Sequence, residues 1–78
     1  MLYILLDHVW DQTGALSEIE VDYNSFFIRC TSGTVTIKLN GTAITLDTYE
    51  YIDENVIDGK TFEVSGTGSW KGYLRGII

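Results

Sequence analysis

Residues 25–46 read SFFIRCTSGTVTIKLNGTAITL, and this run decides the fold. Asn40-Gly41 is a strong hairpin signal, because both central residues of a type I′ turn need positive φ and Asn followed by Gly adopts it at low cost. Ser32-Gly33 is a weaker form of the same signal. With both read as two-residue loops, the run becomes three antiparallel strands in which Ile28, Ile37 and Ile44 share a row. Phe26, Leu39 and Thr42 flank that row on one side and Cys30, Val35 and Leu46 on the other, giving one apolar face. The opposite face holds Phe27, Lys38 and Ala43, then Arg29, Thr36 and Thr45. A dry face and a wet one are the mark of an antiparallel sheet, and a slip of one residue would exchange them.

Downstream, Thr48 to Ile52 alternates and predicts another strand, with Tyr49 and Tyr51 on one face and Glu50 and Ile52 on the other. DENVIDGK, residues 53–60, turns the chain with Asp58-Gly59 at its tip, and a three-residue loop there pairs Val56 with Phe62. Gly66-Thr67-Gly68 reads as a second three-residue loop. It sets Val64 opposite Trp70, Glu63 opposite Lys71, and Phe62 over Gly72. Trp70 and Leu74 then face inward, and Lys71, Tyr73 and Arg75 face outward. Upstream, residues 2–6 read as a strand, Asp7 to Gly14 as a loop, and Leu16 to Val21 as a short strand.

Gly or Asn/Asp interrupts the pattern about every eight to twelve positions, and no stretch supports an amphipathic helix. The predicted fold is all-β: a small antiparallel β-sandwich or partly open, jelly-roll-like barrel of about six to eight short strands without substantial helix. Residues 1–78 form a single β domain in this reading, with 1–10 as an N-terminal strand or arm contacting a partner.

Composition narrows the function. The formal charge is −6, and it is segregated: residues 1–28 hold five acids and no Lys or Arg, residues 47–58 hold five more, and residues 29–46 and 59–78 each carry a net +2. Five dispersed cations on an acidic chain cannot neutralise a phosphate backbone, so no nucleic-acid binding is expected. Complementary patches could dock neighbouring subunits. MLYILL at the N-terminus is too short and too poorly flanked for a signal peptide or a membrane span, so no membrane association and a cytosolic site of synthesis are expected. Asn40-Gly41-Thr42 is turn chemistry rather than a glycosylation site. Cys30 is the single cysteine; it faces inward and packs. A small domain without staples draws stability from copies of itself or from a partner.

No catalytic set emerges. A nucleophile needs a base within reach, and the one imidazole, His8, falls in the N-terminal loop. The expectation is therefore a protein that is not an enzyme and takes no cofactor. Asp53, Glu54, Asn55 and Asp58 are hard oxygen donors, but they lack the spacing of an EF-hand, and no metal is assigned. SGTGS, residues 65–69, lacks the lysine and helix of a P-loop and reads as a turn. Ten aromatics are the better lead. The candidate partner-interface residues are Leu2, Tyr3, Ile4, Trp10, Phe27, Tyr49, Tyr51 and Tyr73.

SGTVTIKLNGTAITL followed by FEVSGTGSWKGYLRGI, a proline-free, Thr- and Gly-rich run of short strands, resembles the small all-β auxiliary virion proteins of tailed bacteriophages, the capsid decoration or cement proteins and minor head or tail components. The resemblance implies a structural role. The protein would form a trimer or ring, assemble in the host bacterial cytoplasm, and stabilise a virion by binding the major capsid or another virion protein. The alternative is a small carbohydrate- or peptide-binding β-module that uses exposed aromatics.

Overall fold

A computed structural model describes residues 5–54 and 58–77. These form eight strands and no helix. Strands β1 (Leu5–Thr13), β8 (Ser69–Ile77), β3 (Ser25–Ser32) and β6 (Tyr51–Glu54) make a first sheet in the order β1-β8-β3-β6. Strands β2 (Leu16–Tyr23), β7 (Gly59–Gly66), β4 (Thr34–Leu39) and β5 (Thr42–Asp47) make a second, in the order β2-β7-β4-β5. Every neighbouring pair is antiparallel. This is the eight-stranded, two-sheet jelly roll, so the expected all-β sandwich is what the chain forms.

The core lies between the layers. Phe26, Ile28, Cys30, Trp70 and Leu74 come from the first sheet, and Tyr23, Val35, Ile37, Leu46, Phe62 and Val64 from the second; no polar or charged side chain is buried among the described residues. Burying a large apolar side chain contributes about 1.5 to 3 kcal/mol, so these residues carry most of the fold. Trp70 reconciles its polar edge with burial by donating Nε1–H to the Gly14 carbonyl at 2.9 Å. Tyr23 does the same with its hydroxyl, which donates to the Thr61 carbonyl at 2.7 Å.

Asn40-Gly41 behaves as predicted. Leu39 pairs with Thr42, Ile37 with Ile44 and Val35 with Leu46, and φ is +51° at Asn40 and +84° at Gly41. Asn40 has a second role that turn chemistry does not reveal. Its Oδ1 accepts the backbone N–H groups of Lys60 and Thr61 at 2.7 and 3.2 Å, and its Nδ2 donates to the Asp58 carbonyl at 2.8 Å. The hairpin is thereby clamped to the start of β7.

The other connections correct the reading. Ser32-Gly33 does not close a hairpin: β3 pairs with β6 and β8, while β4 lies in the opposite sheet. Ile28 and Ile37 therefore enter the core from opposite layers instead of lying side by side. Alternation is blind to this choice, because strand parity is the same in either arrangement. Folding one strand over the other covers both apolar faces at once, and burial decides.

Gly66-Thr67-Gly68 also carries the chain between sheets. Val64 pairs with Leu16 and Ile37, whereas Trp70 pairs with Gln12 and Cys30. Glu63 stands opposite Lys38 rather than Lys71, and Phe62 stands opposite Ile19 and Leu39 rather than over Gly72. Gly68 is small for a different reason than a hairpin turn: a Cβ there would lie 2.6 Å from the Ser32 carbonyl oxygen and 2.8 Å from Thr34 backbone atoms. The two crossings press against each other. At Asp58-Gly59 the predicted pairing partner Val56 lies outside the described residues, and β6 and β7 belong to different sheets.

Two further corrections concern the strands. Residues 7–13, predicted as loop, belong to β1 and pair along their length with β8. Thr48 to Glu50 is a turn rather than strand, closed by Glu50 N–H on the Asp47 carbonyl at 2.9 Å, with Tyr49 at φ +72°; the strand starts at Tyr51. Ile44 keeps its predicted partner but remains 37% exposed, because β5 is an edge strand.

Candidate functional site

Side chains alternate along each strand, so the outer face of the first sheet is built from the residues that the core leaves out. The register arranges them in rows: Val9, Tyr73, Phe27 and Asp53 in one, and Asp11, Lys71, Arg29 and Tyr51 in the next. Phe27 on the central β3 is the hub. Its ring stacks on Tyr73 (centroids 5.9 Å, interplanar angle 26°) and lies beside Tyr51 (6.0 Å, 35°). Arg75 places its guanidinium 4.2 Å from the Tyr73 ring centroid, and Arg29 lies 5.7 Å from that of Tyr49. Tyr51 is 62% exposed and Tyr49 and Val9 are each 68% exposed. This face also carries three of the chain's five cations, Arg29, Lys71 and Arg75.

The orientation of the rings limits what they can bind. Side chains on a sheet stand roughly perpendicular to it, and near-parallel neighbours use their π faces on one another. The platform thus offers ring edges, tyrosine hydroxyls and guanidinium groups. Phe27 and Tyr73 turn ring faces toward each other, whereas Tyr51 and Tyr49 remain largely open. Exposed Tyr and Arg are the residues that anchor protein interfaces.

The outer face of the second sheet has different chemistry. Glu20, Glu63 and Asp47 lie there against Lys38, among Thr34, Thr36, Thr45 and Ser65, as the parity of β2, β4, β5 and β7 requires. The hydroxyls of Thr36 and Thr45 bond at 3.0 Å, and Thr34 donates to Asp47 at 3.2 Å. At the start of β7, Lys60 bonds Asp22 at 3.0 Å and Asp58 at 3.4 Å, which holds its ammonium above the ordinary lysine range. A shallow depression lined by Glu20, Val21, Asp22, Lys60 and Thr61 lies beside that pair.

Of the interface residues predicted from sequence, Phe27, Tyr51 and Tyr73 come together and Tyr49 joins them through Arg29. Trp10 does not. It points to the inner side of β1, half-buried, and stacks on Phe62 at 5.2 Å with Trp70 5.9 Å away. Leu2, Tyr3 and Ile4 lie outside the described residues. Arg29, Arg75 and Val9 were not singled out, although Phe27-Ile28-Arg29 and Tyr73-Leu74-Arg75 repeat one pattern, an aromatic and an arginine two residues apart on one face.

A two-sheet roll can hold a ligand or a metal between its layers; among the described residues the donors are scattered. His8 stacks on Trp10 at 5.9 Å. The Cys30 thiol is fully buried and points at the Gly33 carbonyl, 3.3 Å away. No three His, Cys, Asp or Glu side chains among the described residues gather where they could share an ion. Asp53 sits on the outer face of the first sheet and Asp58 is tied to Lys60; Asn55 lies outside the described residues. Burial pushes the Tyr23 hydroxyl up to about 12.

No protein-family pattern matches the chain, and no curated protein matches it. Among solved structures it is similar to a cupin-2 domain-containing protein from Shewanella frigidimarina, with a TM-score of 0.59 and 14% identity over 90% of this chain and 68% of that one. The match overturns the expected virion structural role. Short alternating strands with Gly-rich turns encode the roll itself, a fold that hosts many unrelated functions; the structure it matches is a cupin-2 domain protein. What the likeness shows is the fold: this chain is a cupin-like jelly roll.

Proposed function

We propose that the protein is a non-enzymatic interaction module that binds a protein surface through the outer face of its first sheet. The observation that carries this reading is the Phe27, Tyr51 and Tyr73 cluster, interleaved with Arg29 and Arg75 and left largely open at Tyr51 and Tyr49. Three of the four exposed large apolar side chains among the described residues, Val9, Tyr49 and Tyr51, belong to this side of the molecule. Contiguous apolar surface rimmed by charge is the signature of an interaction site. The cations favour an acidic partner.

The reading is tested by titrating the ¹⁵N-labelled protein with two probes, an acidic amphipathic peptide of alternating Leu and Glu and a neutral β-linked oligosaccharide. The peptide is expected to shift the amides of Phe27, Arg29, Tyr51 and Tyr73, and the Phe27→Ser/Tyr51→Ser variant is expected to lose the response. Shifts at those residues with the oligosaccharide alone, or none with the peptide, would contradict it.

A further inference from the structure

Apart from the aromatic face, we infer that a second copy of this chain pairs with the open edge of the second sheet, β5 against β5 about a twofold axis at Ile44. Among the described residues the sheet edges are β1, β6, β2 and β5. An exposed edge is a template for another strand unless it is short, charged or bulged. β6 has 4 residues and ends in Asp53 and Glu54. β2 carries Glu18, Glu20 and Asp22 and shifts register along β7, and β1 carries Asp7 and Asp11. β5 has none of these defences: from Thr42 to Leu46 it is uncharged and free of proline, and it pairs with β4 in unbroken register.

The backbone of β5 selects the occupant. The Asn40-Gly41 turn makes Leu39 and Thr42 a hydrogen-bonded pair, and such pairs alternate along an antiparallel ladder. Ile44 and Leu46 therefore direct their N–H and C=O groups to β4, while Ala43, Thr45 and Asp47 turn theirs to the open edge. Asp47 is satisfied within the chain: its N–H donates to the Glu50 carboxylate at 2.7 Å, and its carbonyl accepts the Glu50 N–H at 2.9 Å. Ala43 and Thr45 remain, and no described strand takes them. An antiparallel copy centred on Ile44 sets Ala43 opposite the partner's Thr45 and Thr45 opposite the partner's Ala43, so each open N–H meets an open carbonyl. Sliding by two residues would set Thr45 against Gly41 of the turn, or Ala43 against the occupied Asp47. In the centred register Ile44, 37% exposed, meets its own copy as a non-hydrogen-bonded pair, where side chains come closest. Asp47 then faces Gly41 rather than an acid. Copies of net charge −6 repel, and β2 paired with itself about Glu20 would set acid against acid. β5 joins two copies without opposed carboxylates. The contact is isologous and closes at the dimer.

Sedimentation velocity on paired charge variants tests this, with circular dichroism confirming that each stays folded. Wild type is expected to form a dimer, and nothing larger, as its concentration rises. Ala43→Lys/Thr45→Lys sets like charges directly opposite each other across the axis and should weaken dimerisation at least tenfold, as should Ala43→Glu/Thr45→Glu. An equimolar mixture of the two sets opposite charges across the axis and should restore a dimer. Hydrogen exchange on wild type needs no substitution: the Ala43 and Thr45 amides should exchange at least tenfold more slowly in concentrated than in dilute solution. Wild type that stays monomeric at every concentration, exchange at those amides that ignores concentration, or charge variants that dimerise like wild type would overturn the inference. So would dimerisation lost in Phe27→Ser/Tyr51→Ser, which would move the contact to the aromatic face.

Discussion

The first sheet carries aromatic rings on both of its faces, and the two sets differ in what covers them. Inside, Phe26 and Trp70 are 2% and 0% exposed, packed by the opposite layer, with Trp70 set edge-on to Phe62 at 6.2 Å. Outside, Phe27, Tyr73 and Tyr51 touch at comparable ring distances, but Tyr51 remains 62% exposed. Stacking is thus similar on both faces and burial is not. The inner rings stabilise the fold. The outer rings hold surface in reserve, and a partner that covers it gains what the core gains on folding.

The largest effect should come from the inner set. Trp70→Ala removes a fully buried indole and its bond to Gly14, and unfolding by urea should show a loss of about 3 to 5 kcal/mol. That is a large share of what a domain this small possesses. An outer substitution of equal cost would erase the distinction between the faces.

Alkali should act chiefly on the inside, with an intermediate effect. The Tyr23 hydroxyl ionises near 10 when unfolded and is pushed up to about 12 when folded. A folded value above the unfolded one gives stability that is intact below pH 10 and declines as pH rises from there toward 12, because the unfolded chain sheds the proton first. The decline should reach roughly 2 to 3 kcal/mol. Tyr23→Phe should flatten it in a pH series of urea midpoints, and a slope that survives this substitution would assign it to another group.

Tyr51→Ser/Tyr73→Ser should sharpen the contrast from the other side. Stability should change by about 1 kcal/mol or less, as for most exposed sites, while binding of the acidic Leu/Glu peptide weakens at least tenfold. The smallest effect is ionic. Raising salt from low to near-molar shortens the screening length and should weaken peptide binding several-fold without moving the urea midpoint.

The sequence carried strand parity but not layer membership. Phe26, Ile28, Cys30, Val35, Ile37 and Leu46 could all be assigned inward, and all are buried, yet whether Ile28 and Ile37 lie side by side or face to face is a matter of total burial that no local pattern encodes. Asn40-Gly41 was readable because positive φ is a local demand. Gly68 was misread because its smallness answers to Ser32 and Thr34, distant in sequence. Most of β1 escaped notice because His8 and Trp10, polar or bulky, sit on its inner side where smaller apolar residues signal a strand. Phe27, Tyr51 and Tyr73 were legible as outward aromatics; their union depends on β3 lying between β8 and β6, which again is topology.

The central claim, that the outer aromatic face of the first sheet is a binding surface, is tested most directly by paramagnetic relaxation from a spin-labelled acidic Leu/Glu peptide mixed with the ¹⁵N-labelled protein, whose single thiol, Cys30, is fully buried and out of reach. Broadening at Phe27, Arg29, Tyr51 and Tyr73 is the predicted result. Broadening confined to Thr36, Thr45 and their neighbours, or none at any concentration, would contradict it.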